Sequence, residues 1–506
     1  MKKKILTDKN LLKINSLIKR NKKKVGLCHG VFDLLHPGHI YYFQEAKKKC
    51  DILIVSVTAD KYVLKGSGKP YFKEKHRMHA LSSLEFIDYV ILSEEKSAVN
   101  IIKKIKPDYY IKGSDYKNSK KDLTGKIHLE KKEVQKHGGK IIFTTGPIFS
   151  SSKIINNEFF YNHQQNQFLS KLKKKYNIDT ILKFIDKLNT NIPLVTGETI
   201  IDEYIFCKAI GKSGKEPYMV MQEKKSEKYL GGVLSISQNL ASISNKVHLL
   251  TALGSIDDHK KKITKELRKN ISLQYVLKKN LPTIVKKRFI EQVDNNKLLG
   301  IYNVMDDKDS INNENLLIKK FNKLAARSDL IIIADYGHGF FTKKFREVIL
   351  KKNKFTALNA QVNAFSIGYH TIAGYKKADL VLMNETELRQ ELRDKSSERI
   401  QLIKKLEKTI KTKYIAITHG KTGATIFSTK NKELVTVPAF AREVIDKVGA
   451  GDALFPVLAS CLKSKLPIDI SLFLASISAA INAENYATKS LLNKVYFQKY
   501  LEHSFK

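Results

Sequence analysis

The sequence predicts an α/β protein of two parallel-sheet units joined by a helical connector, and three observations carry that expectation. Short, nearly continuous apolar runs alternate with helical patterns of about ten to fifteen residues, as β-α-β crossovers require. At 506 residues the chain is too long for one ordinary core. With 42% hydrophobic and 28% charged residues it has a globular composition, and no run of about 18 uncharged apolar residues is available to span a bilayer.

Taken in order, KVGLCHGVF (24–32) reads as a buried strand and HIYYFQEAKKKC (39–50) as a helix with one apolar face. DILIVSVTAD (51–60) is a second strand, followed by a helix around 74–85. DYVILS (88–93), PDYYIKG (107–113) and KIIFTT (140–145) are further strands. Residues 156–192 are rich in Lys, Asn and Gln, with helical periodicity near 166–188. A second α/β series starts at IPLVTGETIIDEY (192–204) and continues through 247–253, 329–337, 355–360, 378–385 and 414–420. Its last helix starts at Gly451. No repeat of 20–50 residues is present, which excludes a solenoid.

The net charge of +41 invites a nucleic-acid reading. Of the 91 Lys and Arg residues, however, only 10 are Arg, and base and phosphate readers need Arg forks. Abundant Lys, Asn and Ile with 10 Pro and no Trp indicate an A/T-biased coding sequence. No nucleic-acid partner is expected. Cys28, Cys50, Cys207 and Cys461 form no CxxC pair, so neither a disulfide framework nor a zinc site is expected. The N-terminus is basic but lacks an apolar signal-peptide centre. The expectation is a cytoplasmic protein without membrane association.

Two constellations carry chemistry. In GVFDLLHPGH a strand closes at Phe32 and His36-Pro37-Gly38-His39 opens a helix. A helix start presents free N–H groups and the positive end of the dipole, which suits phosphate. Gly38 allows close backbone approach, and His36 and His39 can donate to phosphate oxygens. In VIDKVGAGDALF (444–455), Gly449, Ala450 and Gly451 free N–H groups for a developing anion. Asp452 stands where it can accept a proton from an attacking hydroxyl. Asn384 and Glu387 of NETE are spaced to hold Mg²⁺ through water. THGKTGA (418–424) is a Gly-punctuated turn suited to a nucleotide, and Gly231-Gly232 open a helix where a sugar would lie.

LCHGVFDLLHPGH, LKGSGKP (64–70), EKHRMHAL (74–81), IKGSDY (111–116) and SSSKIIN (150–156) together resemble the cytidylyltransferase-like nucleotidyltransferases, in family order. The resemblance implies a Rossmann-like domain in which His36 and His39 steady the α-phosphate as pyrophosphate leaves. It implies Lys65 and Arg77 as cations for the triphosphate and substrate phosphate. Ser151, Ser152 and Lys153 would cradle the β- and γ-phosphates, and Phe32, Gly38, Lys112 and Asp115 would line the nucleotide and sugar-phosphate pocket. Lys65 and Lys69 lie in a Lys-rich chain, where simple solvation is the alternative. His76 and His79 read as surface or packing residues.

GAGD with NETE, THGKTGA and the GG pair resembles the ribokinase-like (PfkB) carbohydrate kinases, from about Pro193 onward. This implies a ribokinase-like α/β domain with a small β lid. Asp452 would be the base, Gly449 to Gly451 the anion hole, and Asn384 and Glu387 the metal-associated pair. Thr418, Gly420 and Gly423 would lie along ATP; Asp202, Gly231, Gly232, Ser235 and Arg288 would meet the substrate, with Lys287 and Arg288 in the lid. Three positions depart from the family pattern: Ser235 stands at the expected sugar-binding Asn, Glu198 at the first Asp of GDxxxD, and Asn359-Ala360-Gln361 at an Asp-Pro-Lys.

Together the halves resemble the bifunctional ADP-heptose synthesis enzymes, whose usual order is kinase first; here the order is reversed. The expected domains are 1–156 nucleotidyltransferase, 157–191 helical linker and 192–506 kinase. The resemblance implies ATP and Mg²⁺, a sugar phosphate and a nucleoside triphosphate as partners, and a homodimer through the lid. The expected product is ADP-heptose. The alternatives are another sugar or polyol giving a CDP- or GDP-linked product, and a nucleotide-binding scaffold with a degenerate kinase.

Overall fold

The computed structural model describes residues 4–63, 70–95, 97–113, 126–145, 161–292, 295–304, 311, 313–362, 370–486 and 492–505. They divide into two compact units, Met1–Tyr161 with Gln498–Lys506, and Asn162–Phe497.

The first unit holds strands β1 (Ile5–Leu6), β2 (Val25–Gly30), β3 (Ile52–Thr58), β4 (Tyr89–Ser93), β5 (Tyr109–Lys112) and β6 (Lys140–Phe143). They form one parallel sheet in the order β1-β4-β3-β2-β5-β6. Helices α1 (Asp8–Arg20), α2 (Pro37–Lys47), α3 (Glu74–Ser82), α4 (Val99–Ile105) and α5 (Lys126–Lys136) cover its faces. The central strands are buried on both sides, which is why they read as unbroken apolar runs. One core cluster joins Leu11 and Ile18 of α1 to Ile101, Ile102 and Ile105 of α4; another joins Phe43 and Ala46 of α2 to Met78 and Leu81 of α3. From β2 the chain moves to β3 on one side, while β5 lies on the other. The sheet therefore has its switch point at the C-terminal ends of β2 and β5, where such folds bind ligands.

The second unit begins with α6 (His163–Lys175) and α7 (Ile178–Leu188), each capped by an Asn side chain. Strand β7 (Pro193–Lys212) follows and serves two sheets. Its first residues sit between β9 (Val247–Ile256) and β13 (Leu330–Asp335) in the main sheet. Its remainder pairs with β8 (Met219–Gly232) and β11 (Ile284–Glu291), and β11 with β12 (Lys297–Asn303), forming the lid. The main sheet runs β10 (Ile271–Pro282), β9, β7, β13, β14 (Phe355–Ala360), β15 (Leu380–Asn384), β16 (Tyr414–Thr418), β17 (Ala424–Ser428), β18 (Glu433–Val437). It is parallel up to β16 and antiparallel from there.

Helices α8 (Val233–Leu240), α9 (Lys260–Glu266), α10 (Glu314–Ala326), α11 (Lys343–Leu350), α12 (Glu385–Leu392), α13 (Arg399–Thr409), α14 (Ala450–Lys463), α15 (Ile468–Ala483) and α16 (Lys494–Phe505) complete the described elements. Every residue of α14 from Ala453 to Leu462 is buried, as are thirteen of the sixteen residues of α15, so these helices lie inside the unit. The four cysteines are free thiols, three of them buried, and burial pushes Cys28 up to about 12. Among the described residues no helix is long and apolar enough to cross a membrane.

Candidate active sites

The first candidate site is the β2–α2 junction at the switch point. The backbone of Phe32 turns with a φ of 49°, and a Cβ on Gly30 would come within 2.9 Å of the Phe32 ring. His36 caps α2 in extended conformation without a side-chain cap bond, and Pro37 takes the first helical position. Pro37 brings no N–H of its own, and the positive end of the helix dipole is what this start offers a ligand. The His39 N–H donates to the His36 carbonyl at 2.8 Å, and the two rings stack with centroids 4.0 Å apart. Phe32 packs edge-on against His39. The structure therefore brings Phe32, His36, Gly38 and His39 together.

Two other expected residues have inward partners. Arg77 is buried; its Nε and two terminal nitrogens donate to the carbonyls of Phe72 (2.9 Å), Val31 and Thr58 (2.9 Å) and to Asp60 Oδ1 (2.7 Å). Instead of reaching into a phosphate site, its guanidinium ties the loop after β2 to the end of β3 and to the segment before α3. Lys112 ends β5, and its ammonium lies 3.4 Å from Glu130 of α5 with both side chains buried. Burial alone would raise the Glu130 carboxyl; Lys112, then His29, the Ala98 N–H and Tyr110 outweigh it and hold it below its ordinary value. Asp33, missed in the sequence, accepts the N–H groups of Tyr71 (2.7 Å) and Phe72 (2.9 Å) and fixes the approach to α3. Lys65, Asp115, Ser151, Ser152 and Lys153 lie outside the described residues.

The second candidate site is a cavity of about 370 Å³ between the C-terminal ends of the main-sheet strands and the lid. Its wall includes Asp202, Gly232, Lys286, Arg288, Tyr336, Gln361, Asn384, Glu387, Thr418, Gly449, Gly451 and Asp452. Gly449 has a φ of 83° and caps α14 without a side-chain bond; the Ala450 N–H donates to the Lys447 carbonyl at 3.4 Å, and the helix start lines the cavity beside Asp452. The carboxylate of Asp452 accepts from Tyr336 Oη at 3.1 Å and from Gln361 Nε2 at 3.4 Å. Burial raises Asp452 to about 6 against those two donors, with Asp202 adding to the rise and Lys286 opposing it.

On the lid side, Arg288 is bonded to Asp202, and a Cβ on Gly231 would fall 2.1 Å from the Asp202 carboxylate. Only glycine lets this acid pack against β8. Lys286 shares the Arg288 face of β11, two residues away; burial pushes its ammonium below the ordinary lysine value, against the pull of Asp202.

Asn384 and Glu387 form a reciprocal capping box on α12, each side chain accepting the other's backbone N–H at 2.8 Å. Burial lifts Glu387 to about 7. The spacing that signals a metal pair is thus also what a helix start demands. Among the described residues no group of three or more His, Cys, Asp or Glu side chains is arranged to hold a metal ion.

Gly420 and Gly423 shape the turn after Thr418 with φ of 61° and 108°. Ala450 is the first residue of α14. Ser235 is fully buried within α8, outside the residues that line the cavity. Sequence reasoning missed Lys286, Tyr336, Gln361 as a donor, and Asp446. The last accepts from Tyr204 Oη (2.6 Å), Lys297 Nζ (2.5 Å) and the Val448 N–H (3.0 Å), and steadies the turn into α14.

Comparison with known proteins agrees with this division. Residues 192–494 match the pfkB family carbohydrate kinases, and residues 27–157 match the cytidylyltransferase-like domain. A bifunctional protein HldE of Campylobacter jejuni (strain RM1221) is 31% identical over 304 residues, covering 60% of this chain and 62% of that protein. Another, from C. jejuni subsp. jejuni serotype O:6, is 30% identical over 329 residues, covering 63% of this chain and 68% of its own. The chain thus spans between 62% and 68% of the length of these relatives. Escherichia coli phosphofructokinase-2, solved with substrates and products, covers 63% of this chain and all of its own at a TM-score of 0.50 and 13% identity, a likeness of fold. The chain belongs to the pfkB carbohydrate kinase family and carries a cytidylyltransferase-like domain ahead of the kinase.

Proposed function

We propose that the chain is a bifunctional sugar-nucleotide enzyme of the cytoplasm. Its kinase phosphorylates a sugar phosphate, D-glycero-D-manno-heptose 7-phosphate, at the anomeric oxygen. Its N-terminal domain then transfers the adenylyl group of ATP to the resulting sugar 1-phosphate, giving ADP-heptose. The observation that carries this reading is the cavity in which a raised, doubly held carboxylate, an uncapped helix start and a cationic sugar-side wall converge.

In the kinase, Asp202 and Arg288 hold the acceptor, Asp452 takes the proton of its attacking hydroxyl, and the new O–P bond forms as the bond to ADP breaks. The N–H groups of Gly449, Ala450 and Gly451 receive the negative charge on the transferred group. Asn384 and Glu387 would hold a magnesium ion through water, since Glu387 is engaged in its capping box. Such an ion supplies charge neutralisation on the triphosphate. In the N-terminal domain a sugar-phosphate oxygen attacks the α-phosphorus and pyrophosphate leaves. His36, His39 and the first turn of α2 hold the phosphate in line, so positioning and charge neutralisation do the chemistry.

A second reading keeps both reactions but changes the sugar, giving a CDP- or GDP-linked product; it is favoured by Ser235, which is buried away from the cavity at the expected sugar-binding position. A two-stage assay separates the readings, with a panel of sugar 7-phosphates for ADP formation and the four nucleoside triphosphates for pyrophosphate release. No pyrophosphate from heptose 1-phosphate with ATP excludes the heptose assignment. We also infer a homodimer through the lid. Leu298, Leu299 and Ile301 are exposed on β12, which pairs only with β11 among the described strands. Light scattering giving the mass of a single chain removes that inference.

A further inference from the structure

Asp452 receives its two side-chain donors on one oxygen. Tyr336 Oη and Gln361 Nε2 both donate to Oδ1, from turns that follow β13 and β14. Oδ2 is then the oxygen left to take a proton. Tyr336 is itself fixed from behind. The buried carboxylate of Glu198 accepts the Tyr336 N–H on Oε2 and the His338 N–H on Oε1, each at 3.0 Å, so one side chain spans the turn. Lys278, also buried, donates to the His338 carbonyl at 2.7 Å. The departure from the family pattern at Glu198 thus falls on the support of this turn; Glu198 is absent from the cavity wall.

We propose that Tyr336 is a positioning residue for phosphoryl transfer: by occupying Oδ1 of Asp452 it dedicates Oδ2 to the acceptor proton, and Glu198 holds the turn that presents it. The inference rests on the reading of Asp452 as the kinase base. The acceptor O–H proton passes to Oδ2 while the acceptor oxygen bonds to the γ-phosphorus and the bond to ADP breaks.

Burial and the neighbouring Asp452 keep the Tyr336 phenol protonated well above its ordinary range, so it remains a donor wherever the enzyme works. The charged and titratable groups around Asp452 are Asp202 on β7, Lys286 and Arg288 on β11, Glu387 on α12 and Lys447 in the turn before α14. None of these is altered by removing one phenolic oxygen.

The test compares Tyr336→Phe and Glu198→Gln with the wild type as full chains. Tyr336→Phe is expected to lower kcat for phosphoryl transfer about tenfold with KM for ATP unchanged. The acid limb of kcat is expected to move to higher pH, because a donor that favours the ionised carboxylate is gone. Glu198→Gln, which keeps one acceptor for two N–H groups, should move both quantities in the same direction by less. An acid limb that stays in place in Tyr336→Phe overturns the proposal, whatever happens to kcat, and leaves Tyr336 a packing residue. Carboxyl ¹³C titration of Asp452, assigned with Asp452→Asn and recorded without acceptor, gives a reading independent of the substrate. An upward displacement in Tyr336→Phe supports the proposal and an unchanged midpoint overturns it. Absence of wild-type turnover on every sugar phosphate would instead count against the proposed function.

Discussion

At the scale of single residues, the proposed base of the kinase, Asp452, is an acid whose surroundings raise it above the ordinary carboxylate range. Burial places Asp452 at about 6, and a base must be ionised to accept a proton. Phosphoryl transfer is therefore expected to rise with pH through about 6 and to be lost below it, which a kcat profile between pH 5 and 8 checks. Lys286 yields a separate expectation. Its ammonium is buried on the cavity wall beside Asp202, a position suited to an anionic acceptor. Lys286→Met should raise KM for a sugar phosphate roughly tenfold or more, as loss of a charge-assisted bond does, and leave KM for ATP nearly unchanged. Initial-rate kinetics with each substrate varied in turn would reveal the split, and an equal rise in both constants would contradict it. HPGH and GAGD were legible because each packs its chemistry into a few consecutive residues. Tyr336 and Gln361 were not, since they reach Asp452 from 116 and 91 residues away and no local pattern marks them.

At the scale of elements, sequence and structure agree where burial alone decides the element. The central strands β2, β3 and β13 and the helix α14 fall within a few residues of their apolar runs. They part where pairing supplies the element. β8 reads MVMQEKKSEKYLGG, a lysine- and glutamate-rich segment with no apolar face; it is a strand because β7 pairs with it over most of its length. β7 likewise extends to Lys212, past the apolar run that ends near Tyr204, because β8 and β11 flank it. Arg77 illustrates the same limit in a helix: its sequence context suggests a phosphate ligand, whereas its four hydrogen bonds make it the clasp between β2, β3 and α3. Arg77→Met leaves Asp60 and three carbonyls without that partner. It is expected to destabilise the N-terminal unit by about 3–5 kcal/mol, the usual cost of removing one member of a buried ionic network. A lowered midpoint in the N-terminal unfolding transition would bear this out, and a loss below about 1 kcal/mol would assign the clasp to other contacts.

At the scale of the whole molecule, each unit has its own sheet, its own switch point or cavity, and its own helix start for phosphate. Neither set of named site residues borrows from the other unit. If each site works by itself, domain order is chemically indifferent, and a reversed order is compatible with the two proposed activities. The net charge of +41 does not mark either site, since at the kinase site Lys286, Arg288 and Lys447 share one cavity wall with Asp202, Glu387 and Asp452. Independence has a measurable consequence. Asp452→Asn should abolish ADP formation on the sugar phosphate while leaving pyrophosphate release from a supplied sugar 1-phosphate intact. His36→Ala with His39→Ala should do the reverse, because in the proposed reaction the removed imidazoles serve only the α-phosphate. Mixed in equal amounts, the two defective proteins should restore conversion of sugar phosphate to sugar nucleotide, with the intermediate diffusing between molecules. The rate of the mixture should rise with protein concentration until the first step saturates the second. Failure of the mixture, with each remaining half-reaction intact, would mean that the intermediate is handed on within one chain and that the two sites depend on each other after all.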